Sequence, residues 1–266
     1  MAWLTELAAS VHAFLIFTLV LVRVSGLVLS GPPLGSPESP LQFRALLAFA
    51  LALLMTPGQL STPAAWPASL LGYLLLAGGE LLLGLTLGFG VTLLFSGVQL
   101  AGQIVSQMSG MSLGSVFNPG VDDSIPLFSQ LFYLVALAIF LILGGHRMVM
   151  AGLLDTFAAL PLGSFSPLGD ALTGSLGEMV VTLLSQSFSL GFRTAAPATL
   201  ALLLASLVMG VISRTLPQIN VMAFGFGLNA LTTFAILSIS LGGMAWLFQD
   251  EIEPAVQTVL DALPRE

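Results

Sequence analysis

Three charged side chains stand in stretches that are otherwise apolar: Arg23, Glu80 and Arg193. Glu80 follows Gly78-Gly79 inside the run Leu74–Leu94, which has no other charge. A carboxylate there is costly unless it is paired, protonated or turned toward a polar interior. It therefore contacts another subunit or a pathway, or it has an internal partner such as Arg23 or Arg193. Arg23 stands about two helical turns before the Gly31-Pro32-Pro33 break, near enough to a helix end to snorkel to an interface. Arg193 stands four residues before Pro197. A proline kink leaves carbonyls in need of donors, which points to a structural role.

Other residue types suggest other chemistry. Gly110-Met111-Ser112-Leu113-Gly114 has the G-x-S-x-G spacing of a nucleophile elbow. That device needs a strand–turn–helix setting and a partnered histidine. No strand pattern surrounds Ser112, and His12 and His146 are the only histidines. The same two histidines do not make a metal site. There is no Cys, so thiolate chemistry and disulfides are out. The segment around Ser112 is more informative as backbone. From Gly102 to Gly120 the chain is rich in Gly, Ser, Gln and Met, carries no charge, and ends on Asn118-Pro119-Gly120, a turn signal. It is too polar for lipid and too uncharged for an ordinary surface loop. Irregular backbone at membrane depth survives only when it is buried in protein or lines a cavity. A pore, a transporter or a gated assembly follows.

The elements that must position these residues are apolar helices. The chain is 56% hydrophobic and 7% charged, against about 25% charged in soluble domains. Candidate segments are Val11–Ser30, Leu41–Thr56, Ser69–Ala101, Leu127–Leu143, Arg147–Leu160, Met179–Ser213 and Val221–Phe248. About 20 apolar residues cross a bilayer. Ser69–Ala101 and Met179–Ser213 are over-long and must tilt, kink or leave the bilayer. Pro57 is expected to stop the second segment, and Asp250, Glu251 and Glu253 the last one, before an amphipathic tail. Arg214–Asn220 reads as a tight hairpin turn, because Pro217 cannot continue a helix without losing a hydrogen bond. Gly84-Leu85-Thr86-Leu87-Gly88 allows close helix approach, either between subunits or as an internal packing face. The first apolar segment lacks a basic leader and a cleavage site and is expected to stay. A net charge of −7 argues against nucleic acid. Loop cations are too few to orient the chain.

Four stretches resemble the FliR family of flagellar export-gate proteins, whose virulence-system relatives are called SctT. The first runs from Arg23 through Gly31-Pro32-Pro33 to Pro40 and Arg44. The second is Gly102-Gln103-Ile104-Val105 with Met108-Ser109-Gly110-Met111-Ser112 and Asn118-Pro119. It is similar to the family's G-(E/Q)-x-x-x-x-Q-M-G segment ending in D-P. The third is Gly145-His146, Asp155-Thr156-Phe157 and Leu160-Pro161-Leu162-Gly163. The fourth is Ala196-Pro197 with Met209 to Asn220, similar to A-P … L-G-x-x-x-R-x-x-P-Q-x-N. Departures are Gly227 in place of a family proline, Asn118 in place of an acid, and Ser109 beside Met108. The matches run from Arg23 to Phe226.

The resemblance implies an all-α membrane protein of long kinked helical hairpins. Residues 1–170 would be a FliP-like part and residues 171–266 a FliQ-like hairpin with an amphipathic tail, all within a larger helical ring. It implies no enzymatic activity and no cofactor. Partners would be FliP and FliQ, then FlhB, unfolded export substrates and membrane lipid. The loop at 106–122 corresponds to a channel plug, with Gln107, Met108, Gly110, Met111, Ser112, Gly114, Phe117, Asn118 and Pro119. Arg214, Pro217, Gln218 and Asn220 would form a hairpin tip that meets partners. The location implied is the bacterial inner membrane at the flagellar basal body, partly projecting to the periplasmic side. Injectisome use is the alternative. From the residues alone, a secondary transporter or an intramembrane hydrolase remains a rival. A transporter would show matching broken helices in two halves, and a hydrolase would need a base beside Ser112.

Overall fold

A backbone in lipid has no water to satisfy its polar groups, so an apolar chain of this kind must close its hydrogen bonds locally, in helices. The computed structural model describes residues 2–32, 35, 39–60, 67, 69–110, 127–163, 170–215 and 221–262. Among the described residues there are seven helices and no strand. They are α1 (Ala2–Ser30), α2 (Leu41–Gln59), α3 (Leu70–Met108), α4 (Leu127–Ile142), α5 (Gly145–Ala159), α6 (Asp170–Thr215) and α7 (Val221–Ala262). The protein is an all-α membrane protein. Among the described residues, four stretches are long and apolar enough to cross a bilayer, Ser10–Ser30, Leu41–Gln59, Leu70–Met108 and Gly177–Thr215, and two helix pairs qualify as bent spans, Leu127–Ile142 with Gly145–Ala159 (68°) and Gly227–Ser238 with Gly242–Asp261 (54°).

Several helices outrun their sequence-based limits. α2 continues through Pro57 to Gln59. α7 continues through Asp250, Glu251, Glu253 and Pro254 to Ala262. Acidic residues do not stop a helix whose buried face persists, and Ile252, Ala255, Val256 and Val259 are all buried. α3 continues past Ala101 to Met108, so Gly102–Met108 is helical and not irregular. The small residues there serve a helix crossing. A Cβ on Gly102 would lie 2.5 Å from the Phe128 carbonyl oxygen of α4. α6 includes Arg214 in its last turn, so the expected turn does not begin before residue 216.

The chain forms two compact units. The first comprises Met1–Thr92, Gly144–Leu183 and Glu253–Glu266, and the second Leu93–Leu143 and Leu184–Ile252. Each draws on both sides of residue 170.

In the first unit α1 and α3 cross at backbone contact. A Cβ on Gly26 would sit 2.6 Å from the Leu81 carbonyl oxygen, and one on Gly84 would strike the Arg23 carbonyl. The G-x-x-x-G pair is therefore an internal packing face. Ser30 Oγ donates to the Leu85 carbonyl at 3.2 Å and Thr92 Oγ1 to the Ser30 carbonyl at 2.5 Å. α2 packs on α1. Its buried residues are only Ala48 and Ala52, while Leu41, Phe43, Leu46, Leu53 and Leu54 are exposed.

The second unit is built around Phe95. Its ring meets Tyr133, Phe140 and Phe248 edge-on, with centroids 5.7, 5.4 and 5.1 Å away. Such pairs add about 0.5–1.5 kcal/mol each beyond burial. α3 and α6 cross at Gly97 and Gly191, and Ser187 Oγ donates to the Leu93 carbonyl.

Candidate functional site

The first unit encloses a complete ionic cluster. Arg23 on α1 is 0% exposed and Glu80 on α3 is 1% exposed. The close α1–α3 crossing brings them together. Arg23 Nε donates to Glu80 Oε2 at 2.5 Å. The remaining Arg23 donors reach α5 and the turn after it. Nη1 donates to Thr156 Oγ1 at 3.3 Å and Nη2 to the Leu160 carbonyl at 3.1 Å. The Phe157 ring lies under the guanidinium, 4.2 Å from Cζ to the centroid. Glu80 Oε1 accepts the Gly163 backbone N–H at 3.1 Å. Gly163 has φ +80, a conformation that side chains with a Cβ resist, and it is what turns this N–H toward the carboxylate.

A buried charge is tolerated when it is paired and its remaining lone pairs and protons are satisfied. Each nitrogen of Arg23 and each oxygen of Glu80 has a partner here. It ties α1, α3 and α5 at one point and holds the Leu160–Gly163 turn against α3. Arg23 does not snorkel, since it has no exposure. Thr156, Phe157, Leu160 and Gly163 were not singled out as site residues from the sequence. The signal available was the pair of short segments Asp155-Thr156-Phe157 and Leu160-Pro161-Leu162-Gly163, in which Thr156 and Phe157 turn inward while Asp155 is exposed.

Arg193 takes no part in this cluster. Its side chain is 61% exposed, and Nη1 lies 3.8 Å from Glu251 Oε1 in the second unit. It therefore does not serve carbonyls freed by Pro197 in the way the kink suggested. Pro197 sits within a continuous α6. Arg214 is exposed in the last turn of α6, where a cation suits the helix C-terminus. Pro217, Gln218 and Asn220 lie outside the described residues.

Of the expected plug, Gln107 is exposed and Met108 half-buried on the last turn of α3. Ser109 N–H donates to the Val105 carbonyl at 2.9 Å and Gly110 N–H to the Gln107 carbonyl at 3.2 Å. Gly110 has φ +76, the left-handed residue that commonly closes a helix. Met111, Ser112, Gly114, Phe117, Asn118 and Pro119 lie outside the described residues. Among the described residues no group of three or more His, Asp or Glu side chains could hold a metal ion.

Known proteins resemble this chain along most of its length. The family model described as bacterial export proteins, family 1, matches residues 14–255. Flagellar biosynthetic protein FliR of Aquifex aeolicus is 34% identical over 225 residues, 82% of each chain. FliR of Bacillus subtilis is 27% identical over 256 residues, 95% of this chain and 96% of the relative. Secretion system apparatus protein SsaT of Salmonella typhimurium is 29% identical over 164 residues, 61% of each chain. The family match takes in Arg23, Glu80 and the Leu160–Gly163 turn, as well as the crossings at Gly97 and Gly102, and the chain belongs to family 1 of the bacterial export proteins.

Proposed function

We propose that this chain is a subunit of the export gate of the flagellar type III protein secretion apparatus. With FliP- and FliQ-like subunits it forms the channel through which unfolded flagellar proteins cross the bacterial inner membrane, with an FlhB-like protein alongside. It is not an enzyme in this reading. The observation that carries it is the likeness to FliR proteins along nearly the whole of both chains.

The surface supports the reading. The apolar stretch Gly177–Thr215 has 39 residues, about 58 Å of helix at 1.5 Å per residue. A hydrocarbon core is only about 30 Å thick. The excess suits burial against neighbouring protein and a part that projects to the periplasmic side. α2 likewise exposes apolar side chains, Phe43, Leu46, Leu53 and Leu54, on the face turned away from α1. Residues 1–170 and 171–266 are proposed as FliP-like and FliQ-like parts, which concerns descent of the chain rather than its packing. The segment from Gln107 to Pro119 is proposed as the plug, and Arg214 with Pro217, Gln218 and Asn220 as the hairpin tip that meets partners. The charge cluster of Arg23 and Glu80 is proposed as the internal tie that keeps this subunit in one conformation while the gate moves.

The likeness to SsaT favours use in a virulence secretion system as the second reading, on a shorter match. The test is co-expression of the tagged chain with the FliP- and FliQ-like proteins of its own source. One large complex is expected, and a deletion strain should recover swimming when the chain is restored. A monodisperse monomer that leaves both partners behind would overturn the gate reading. Restored swimming without effect on virulence secretion separates the two uses.

A further inference from the structure

α4 carries one bare stripe from end to end. Leu127, Leu134 and Leu141 recur every seven residues, which keeps them on one face, and are 62%, 51% and 45% exposed. Ala138 is exposed among them. The helix has 16 residues and no charge. It is about 24 Å long, inside the hydrocarbon thickness of about 30 Å. Its other flank is occupied, with Phe128, Phe132 and Phe140 buried. The stripe finishes on Ile142 and Leu143, 83% and 39% exposed.

Directly beyond it come Gly144, Gly145, His146 and Arg147. Gly144 has φ +74, a conformation that side chains with a Cβ resist, and the chain turns there by 68° into α5. A helix bent by that angle advances only about 0.6 Å per residue along the α4 axis, against 1.5 Å in a straight continuation. His146 and Arg147 are therefore held level with the end of the stripe and not carried past it. Both are exposed. Helical side chains lean toward their own N-terminus. The Arg147 stem does so, and its Cδ would lie 3.6 Å from a Cβ on Gly144.

We infer that α4 is a lipid-facing helix and that the α4–α5 corner is its headgroup anchor: Arg147, with His146 next to it in the chain, binds the phosphate of an anionic phospholipid, while Leu141, Ile142 and Leu143 sit in the tails beneath. The charge pattern carries the choice of lipid. Arg23 is paired with Glu80 and Arg193 lies near Glu251, whereas Arg147 makes no ion pair among the described residues. The nearest acids in the sequence are Asp123 and Asp155, so a chain of net charge −7 is locally basic here. An apolar stripe of bilayer length that ends on a cation matches tails and phosphate together. A partner helix over the same stripe would have to bring its own carboxylate to the corner, but a bilayer carries phosphates at that level everywhere.

The chain has no cysteine, so Leu134→Cys and Ile142→Cys each give it a single site for a bimane fluorophore. Both side chains are exposed, so neither substitution empties the core. The labelled chain is examined in the complex with its copurified partners, in vesicles of phosphatidylcholine and phosphatidylglycerol. Phospholipid with brominated tails quenches a label that faces lipid, and acrylamide in the buffer quenches one that faces water. The expected result is strong quenching by brominated lipid at both sites. Dominant quenching by acrylamide means water covers the stripe, and protection from both reagents means a protein partner does. Either overturns the inference.

The headgroup is tested at Ile142→Cys by brominating one lipid at a time. Brominated phosphatidylglycerol should quench several-fold more than the same fraction of brominated phosphatidylcholine. Arg147→Gln should remove that preference, and Arg147→Lys should keep most of it, since a phosphate accepts an ammonium as well as a guanidinium. Equal quenching by the two lipids around the parent chain overturns the anchor. So does a preference that survives Arg147→Gln. Partner subunits are counted in the same preparation, so an anchor that fails with the partners bound leaves the gate reading intact.

Discussion

Glu80→Ala is the substitution whose cost follows most directly from the structure. It removes the one carboxylate facing a fully buried guanidinium. Arg23 would keep the Thr156 hydroxyl, the Leu160 carbonyl and the Phe157 ring, but no counter-charge. Breaking a buried pair from one side costs about 3–5 kcal/mol. The Gly163 N–H loses its acceptor as well, a further cost of about 1–3 kcal/mol if the group stays dry. Whole domains are stable by only about 5–15 kcal/mol. At about 2–4 °C per kcal/mol for a chain of this size, the pair alone accounts for a loss of about 6–20 °C in melting temperature.

The assay is thermal melting of the chain in its co-expressed membrane complex, followed by fluorescence-detected size exclusion. Glu178→Ala, at an exposed position, is the reference. Glu80→Gln should fall between the two, because an amide oxygen still accepts from Arg23 or Gly163. The double variant Arg23→Met with Glu80→Leu should melt above Glu80→Ala, since apolar replacement removes the stranded charge. Glu80→Ala melting with Glu178→Ala would refute the reasoning. So would a double variant no better than the single one.

Four further outcomes can be measured. Phe95→Ala should destabilise by about 3–5 kcal/mol, because it empties a site closed by Tyr133, Phe140 and Phe248, whereas Phe14→Ala at an exposed position should leave melting unchanged. Gly84→Val should abolish recovery of the folded chain, because its side chain meets the Arg23 backbone. Gly78→Ala, where a Cβ meets nothing within 4 Å, should raise stability by about 0.5–1 kcal/mol through helix propensity. Deleting 107–117, the proposed plug, should leave the complex recoverable but make the membrane conduct ions, read as conductance or dye uptake. A complex as tight as the parent would make that segment packing material.

The sequence by itself determined the class of the protein and most of its elements. Few charges and long uncharged runs leave the backbone nothing but itself to bond with, so all-α membrane architecture follows from solvent physics. The costly position of Glu80 was legible for the same reason, because an isolated carboxylate in such a run demands an explanation. The choice of partner was not legible. Arg23 precedes the Gly31-Pro32-Pro33 break and Arg193 precedes Pro197, and neither context says which of them meets Glu80. Tertiary structure decided it, through backbone contact at Gly26 and Gly84 that brings α1 and α3 close enough for a 2.5 Å pair. It decided the character of Gly102–Met108 as well. Glycine and serine read as loop when only neighbours in sequence are known, but they also let two helices touch, and Gly102 meets α4 across a separation of more than twenty residues. The same limit hid Thr156, Leu160 and Gly163. A hydroxyl, a carbonyl and an N–H become a charge site only when the fold turns them toward a guanidinium and a carboxylate that arrive on other helices.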